Sequence, residues 1–212
     1  MKFTKSEALE IIKQNKEVLS EELREKSLAV CRENFGNSVY VRGLIEFTNY
    51  CRNNCKYCGI RAGNRNVHRY RLTREEILDC CRVGAGLGFK TYVLQGGEDP
   101  GFSDNELCSI VSEIKTEFPE SAVTLSVGER SKDVYREFFK AGADRFLLRH
   151  ETSVEEHYSL LHPSDLSLKN RKRCLYDLKD IGFQVGAGFM VGSPFQKDEY
   201  LAEDIMFLQE LE

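Results

Sequence analysis

Residues 47–59 read FTNYCRNNCKYCG and set Cys51, Cys55 and Cys58 in a C-x3-C-x2-C spacing, with the aromatic Tyr57 directly before the last. Three thiolates so spaced match three irons of a 4Fe–4S cube. Ferredoxin cubes take four cysteines, and no fourth follows in this loop. One iron is thereby left open to a ligand from outside the chain. Two plainer readings stand beside this one. A tetrahedral zinc site takes four ligands, commonly two C-x2-C pairs or a Cys/His mixture; here the nearest histidine is His68 and the first gap is three residues. A structural disulfide belongs to an oxidising compartment, and nothing upstream suggests export.

The chain has 212 residues, enough for a substantial core within one domain. Hydrophobic residues at 41% and charged residues at 30% have the balance of a globular protein, and a net charge of −4 gives no global basic field for nucleic acid. No apolar run approaches the ~20 residues that cross a bilayer, so no membrane partner is expected. The N-terminus is charged and amphipathic, without a signal-peptide stretch. Eight cysteines without an export signal imply a reducing, cytoplasmic setting. Cys31, Cys80, Cys81, Cys108 and Cys174 fall in helical patterns and are expected as small buried hydrophobes. Cys80 and Cys81 point about 100° apart on a helix, a poor ligand pair.

Thr4 with Glu7 forms a capping box before a first short helix, and Ser20 opens a second. From Leu44 onward strand and helix alternate. Strands are predicted at 43–48, 91–95, 122–126, 145–149 and 184–191, and helices near 73–86, 103–117, 131–141, 153–161, 168–180 and 198–211. Thr73 with Glu76, Ser103 with Glu106 and Ser153 with Glu156 signal helix starts independently of periodicity. Gly88, Gly142 and Gly182 each follow a helix and precede a strand, the place of a left-handed C-cap. The GAGLG run at 84–88 ends a helix instead of following a strand, so it makes a weak nucleotide loop.

Repeated strand–helix units imply an α/β fold with a parallel sheet, an N-terminal helical extension over 1–36 and a barrel domain over 37–212. A closed (β/α)8 barrel has eight units in about 250 residues; five are visible. An open set of parallel strands leaves two unpaired edges, and the reading favoured is a partial barrel from a longer chain whose last three units are missing.

In such barrels reactive residues gather at the C-terminal strand ends. Strand one delivers the cysteine loop, and strand two ends in QGGEDP at 95–100, whose glycines permit close backbone approach. Strand three ends in TLSVGE at 124–129, strand four in Arg149, His150 and Glu151, and strand five in the small-residue run GAGFMVG at 186–192. The cysteine segment closely resembles the radical S-adenosylmethionine (SAM) superfamily. The strand-end motifs, in this order, resemble its HydE branch of FeFe-hydrogenase maturases, related to biotin synthase and methylornithine synthase. The likeness runs from about Phe35 to the end.

The resemblance implies that Cys51, Cys55 and Cys58 hold the cluster while SAM chelates the open iron. Gly97, Glu98 and Asp99 would lie along the SAM amino group, Glu151 would accept from the ribose hydroxyls, and Arg171 would grip the SAM carboxylate with its forked guanidinium. Tyr57, Ser126 and Met190 complete the cofactor-binding set, and Gln95, Thr124 and Arg149 would face the barrel interior as substrate contacts. Plainer roles exist for several. Glu151 could cap the helix beginning near Ser153, Arg171 could belong to a solvated basic face with Lys169, Lys172 and Arg173, and Met190 could be core. Arg149 is costly to bury without an anion. His150 reads as a hydrogen-bonded neighbour of the site, and His68, His157 and His162 as surface or loop residues. Glu129 could cap the Ser131 helix and has no assigned role.

The implied activity is reductive cleavage of SAM at the cluster, fed by an external low-potential electron donor. The implied substrate is an iron–carbonyl–cyanide–cysteine species or another small organometallic or amino-acid-derived molecule, with other hydrogenase maturation proteins as partners. A biotin-synthase-like or methylornithine-synthase-like enzyme shares this chemistry, although no cysteine at the later strand ends supplies a second lumenal cluster. A non-catalytic iron–sulfur carrier would not need Glu98, Glu151 and Arg171. The 212-residue chain alone is expected to behave poorly in solution. A monodisperse monomer with a sharp unfolding transition is the outcome that counts against this.

Overall fold

β1 (Gly43–Thr48), β2 (Thr91–Gly96), β3 (Ala122–Ser126), β4 (Arg145–Leu147) and β5 (Gln184–Gly186) form one parallel sheet in chain order, in a computed structural model describing residues 2–212. The crossovers carry α3 (Arg74–Gly86), α4 (Asp104–Glu117), α5 (Lys132–Lys140), and α6 (Glu155–Leu161) with α7 (Leu168–Ile181). α1 (Lys5–Gln14) and α2 (Glu21–Phe35) precede the sheet, and α8 (Asp198–Leu211) follows it. Strands adjacent in sequence are adjacent in space, so right-handed crossovers put the helices on one face.

Alternation along the strands separates the two faces. Ile45, Phe47, Tyr92, Leu94, Val123, Leu125 and Phe146 are buried in one cluster with Ile77, Ile110, Ile114, Phe138 and Leu178 of the helices. The opposite face is the concave one. Register places Leu44, Val93, Thr124, Arg145 and Gln184 side by side in one row, and Glu46, Gln95 and Ser126 in the next row toward the C-terminal ends. This is the five-unit partial barrel expected from the sequence.

Strands four and five are shorter than predicted. Beyond Gly186 the chain is Ala187, Gly188, Phe189, and its small residues offer little for a pleated surface to pack. Contact with strand four persists as single bonds, Glu151 N–H to Gly188 O at 3.1 Å and Met190 N–H to Glu151 O at 3.0 Å. Complete capping boxes form at Thr4 and Thr73. Ser103 caps Glu106 N–H without a reciprocal bond. At α6 the expected box does not form: the N-cap is Val154, the Ser153 N–H donates to Asp204, and Glu156 accepts from the Tyr200 hydroxyl at 2.9 Å. Tertiary partners on α8 have outcompeted the local cap.

Gly88, Gly142 and Gly182 all take positive φ, as their positions after helices require. The GAGLG run ends α3, with Gly84 packed on the Tyr92 ring. Of the five helical cysteines, Cys81 and Cys174 are buried and Cys108 half-buried, whereas Cys31 and Cys80 are exposed, against expectation. Cys80 sits one residue round the helix from buried Cys81, and Cys31 lies on α2, which buries none of its residues. α1, by contrast, is tied to α8 by a Lys13–Glu199 ion pair at 3.5 Å, and the residues flanking it add a Lys16–Asp198 ion pair at 2.9 Å and reciprocal bonds between Phe3 and Gln209.

A helix with no buried side chain has only its own backbone bonds to hold it. Hydrogen exchange of the α2 amides should therefore run roughly a hundredfold or more faster than in α4, whose Leu107, Ile110, Val111 and Ile114 are buried. Comparable protection in the two helices would contradict this.

Candidate cluster and cofactor site

Residues 49–70 contain no helix or strand, so the cysteine loop is held by side chains. Its ends are pinned together on β1: Thr48 bridges Arg71, and Leu72 N–H donates to Phe47 O at 2.8 Å. Within it, one Arg69 guanidinium donates to four carbonyls. These are Asn49 O, Ile60 O at 2.9 Å, Arg61 O at 2.8 Å and Asn64 O at 3.1 Å.

The end of β2 forms the second wall. A Cβ on Gly97 would stand 2.2 Å from Tyr50 O and 2.6 Å from Cys51 Cβ, so only glycine lets the two strand ends meet. The carboxylates beyond it are engaged. Glu98 takes the Arg52 guanidinium at 2.8 Å and Glu129 N–H at 3.2 Å, while its carbonyl accepts Arg52 N–H at 3.0 Å. Asp99 accepts from Thr48 Oγ1 at 2.6 Å, from Arg71 at 2.7 and 2.8 Å, and from Gly101 N–H at 2.8 Å. Burial opposes ionisation of Asp99, but these bonds outweigh it and hold its carboxyl below the usual range. What this segment offers a ligand is chiefly backbone, with its acids serving as struts for the cysteine loop.

The third wall comes from the segment after β4. Glu151 takes a left-handed backbone, φ +67°, unusual for a residue with a side chain. It is buried, its Oε2 has no hydrogen-bond partner, and the Arg149 guanidinium lies 3.4 Å away. Burial raises its carboxyl pKa against the pull of Arg149, Arg171 and His150. Arg171 is buried, which excludes the solvated-face reading. Its Nε donates to Glu129 at 2.5 Å and its Nη1 to Arg149 O at 2.9 Å. A guanidinium has five N–H donors, so others remain for a ligand carboxylate.

Electrostatics bring the walls together. Burial pushes the Cys55 thiol up to about 11, with Arg171 opposing and Cys51 and Cys58 reinforcing. Burial also raises Cys51, with smaller contributions from Glu98 and Cys58. The Tyr57 hydroxyl is raised by burial, then by Glu151 and Cys55. All three thiols are free and half-buried. Among the described residues no three His, Cys, Asp or Glu side chains converge on one metal ion. A cube spreads its thiolates wider than a single ion does, and three soft sulfurs suit iron–sulfur chemistry. The residues fit a cluster.

A family model described as the radical SAM superfamily matches residues 45–208, from β1 into α8. The chain belongs to the radical SAM superfamily. Radical SAM proteins carry a 4Fe–4S cluster and use SAM, and these are the cofactors of this loop. The chain is 43% identical over 208 residues to the [FeFe] hydrogenase maturase subunit HydE of Thermotoga maritima, covering 98% of this chain and 59% of that one. It is 32% identical over 179 residues to 3-methylornithine synthase of Methanosarcina acetivorans, covering 82% and 50%. The crystal structure of a methylornithine synthase superposes with a TM-score of 0.88 at 26% identity, over 100% of this chain and 62% of that one. The chain thus spans between half and two thirds of the length of these radical SAM relatives.

Gln95 and Thr124 occupy the concave face, with Gln95 Nε2 donating to Glu46 at 3.2 Å. Ser126 lies beside Gln95 in register. Arg149, beyond the end of β4, donates to Phe189 O at 3.2 Å. Met190 is half-buried and bonded through its backbone to Glu151. His68 is exposed as read, but His157 and His162 are buried, correcting the surface reading. His157 Nε2 contacts Pro194 O at 3.0 Å. His162 stacks on Tyr158 at 3.8 Å, and its Nδ1 contacts Tyr158 O at 3.0 Å. A carbonyl only accepts, so Nδ1 carries the proton and Nε2 accepts from the Tyr57 hydroxyl at 3.1 Å. With Lys56 N–H donating to Leu161 O at 2.9 Å, this ties the cysteine loop to the end of α6. Glu129 and His162 were not assigned to the site from sequence because each acts through a partner distant along the chain, and Arg69 because its partners are backbone carbonyls, which carry no side-chain signal. His150 is buried 3.6 Å from Asp204 on α8, but neither of its ring nitrogens has a hydrogen-bond partner, which corrects the reading of a hydrogen-bonded neighbour.

Burial lowers the His162 pKa from the usual 6.5 to about 4. An opened loop takes a proton at the usual value while the closed one resists it, so the His162 contribution is complete above pH 6.5 and lost as pH falls toward 4. The intrinsic-corrected exchange protection of the Lys56 amide should drop roughly twentyfold between pH 7 and 5, and His162→Gln should flatten that dependence. An unchanged slope in the variant would count against the assignment.

Proposed function

We propose that this chain is a HydE-type radical SAM enzyme acting in assembly of the FeFe-hydrogenase active-site cluster. The observation that carries the reading is 43% identity to a HydE maturase over 98% of the chain, continuous through the cysteine loop and all five strand ends. Bound here, the cluster and SAM would supply one-electron reductive cleavage of the cofactor's S–C5′ bond, the electron coming from an external low-potential donor.

The chain's own residues bind and orient. Cys51, Cys55 and Cys58 hold the cluster, and Gly97 lets the β2 end lie against it. Glu151 has a buried carboxylate oxygen without a partner, a deficit that two ribose hydroxyls would fill. Arg171, fixed by Glu129, turns its spare donors to the SAM carboxylate. Tyr57, anchored through its hydroxyl, Met190 and Ser126 would complete the cofactor-binding set. Glu98 and Asp99 act by holding Arg52 and Arg71, and so the loop. Gln95 and Thr124 give the concave face polar contacts for a small substrate, and Arg149 gives it a counter-charge for an anionic iron complex. An amino-acid substrate is the second reading, favoured by the TM-score of 0.88 to a methylornithine synthase.

Anaerobically reconstituted protein should form 5′-deoxyadenosine from SAM, and Cys55→Ala should abolish this. Glu151→Gln should weaken SAM binding about tenfold, the scale of one hydrogen bond to a charged group. Arg149→Ala should cut turnover of the iron substrate about tenfold or more with SAM affinity little changed. Equal loss of both in Arg149→Ala would refute that division, and turnover of a free amino acid with no reaction on an iron complex would favour the second reading.

A further inference from the structure

Segment 51–71 carries Arg52, Lys56, Arg61, Arg65, Arg69 and Arg71 and not one aspartate or glutamate, in a chain of net charge −4. Two of these cations are neutralised, Arg52 by Glu98 at 2.8 Å and Arg71 by Asp99 at 2.7 Å. Arg61 and Arg69 donate to loop carbonyls, which fixes them in place and leaves their charge uncompensated. Lys56 and Arg65 are exposed and have no carboxylate within ion-pair distance among the described residues. The loop therefore presents a local excess of positive charge on an otherwise acidic molecule.

That excess is interleaved with the thiols. Arg52 follows Cys51 and Lys56 follows Cys55, one Cα step of about 3.8 Å along the backbone. Most residues exposed between the cations are small, Asn54, Gly59, Ala62, Gly63 and Asn66, with Tyr57 and His68 the larger ones. A partner can approach such a surface closely, and the cysteines of the same segment are only half-buried. Structural service to the loop does not account for Lys56 and Arg65, whose side chains bond to nothing among the described residues.

We propose that the outer face of the 51–71 loop is the docking surface for a small acidic electron-carrier protein. The inference rests on the cluster-bearing function proposed above and adds where the electron enters. One electron leaves the carrier's reduced centre and enters the cluster, oxidising the one and reducing the other by the same single equivalent. Complementary charge steers the encounter and orients the carrier's acidic face on the thiol-bearing loop.

The test uses the reconstituted protein without SAM, following loss of cluster absorbance as flavodoxin hydroquinone, an acidic carrier, is mixed in. Wild-type reduction should slow about tenfold or more from low to near-molar salt, and Lys56→Glu with Arg65→Glu should be slower by about the same factor at low salt. Lys56→Arg with Arg65→Lys should keep the wild-type rate. Photoreduced 5-deazariboflavin, small and neutral, should reduce all three proteins equally. Equal flavodoxin rates in wild type and charge-reversed protein would overturn the proposal. So would equal slowing with both reductants, or tighter binding of an RNA oligonucleotide than of flavodoxin. A cluster that accepts flavodoxin's electron but never cleaves SAM would instead sink the functional reading and leave the docking surface standing.

Discussion

A segment of some twenty residues without helix or strand must find external partners for its backbone polar groups before it can hold three thiols in place. Here the partners are few and specific. Arg69 gathers four carbonyls, Glu98 reaches the Arg52 amide through its own carbonyl, and Leu161 takes the Lys56 N–H. Everything downstream depends on this frame. The cysteines are brought to the end of β2 because Gly97 has no side chain, and to the end of α6 because Tyr57 finds a neutral imidazole there. Without these tethers the loop has no packing of its own with which to stay closed.

The site behind the loop is built on incompletely satisfied charge. Arg171 and Glu129 are both buried, a pairing whose desolvation the mutual attraction scarcely offsets. Glu151 is buried with one oxygen unpaired and its backbone in a left-handed turn. Such features cost stability unless something else requires them, and they cluster at sites where a ligand completes the pairing. Asp99, by contrast, has all its hydrogen bonds and serves architecture.

Most of the frame was legible from sequence. β1 and β3 fall on the predicted residues because alternating apolar positions mark them, and the C-terminal ends of strands four and five were overestimated because Gly186 and Gly188 carry no packing side chain. The cysteine loop was legible because its spacing is local. What could not be read was any pairing across the chain. Glu129 meets Arg171 over a separation of 42 residues, and Tyr57 meets His162 over 105. The Ser153 cap failed for the same reason, since Asp204 on α8 claimed its amide. Histidines looked peripheral because a lone imidazole carries no periodic signal, whereas burial between Tyr158 and Tyr57 is a property of the assembled fold.

The 2.2 Å clearance at Gly97 divides the molecule into a rim that cannot vary and a floor that can. At that position any side chain collides with backbone, so no change of chemistry can be introduced by substitution there. The row of Leu44, Val93, Thr124, Arg145 and Gln184 has no such backbone collision, because each side chain leaves a regular strand on the face away from the helices. Substitution along that row can therefore change what the floor presents to a ligand without shifting the backbone at the rim.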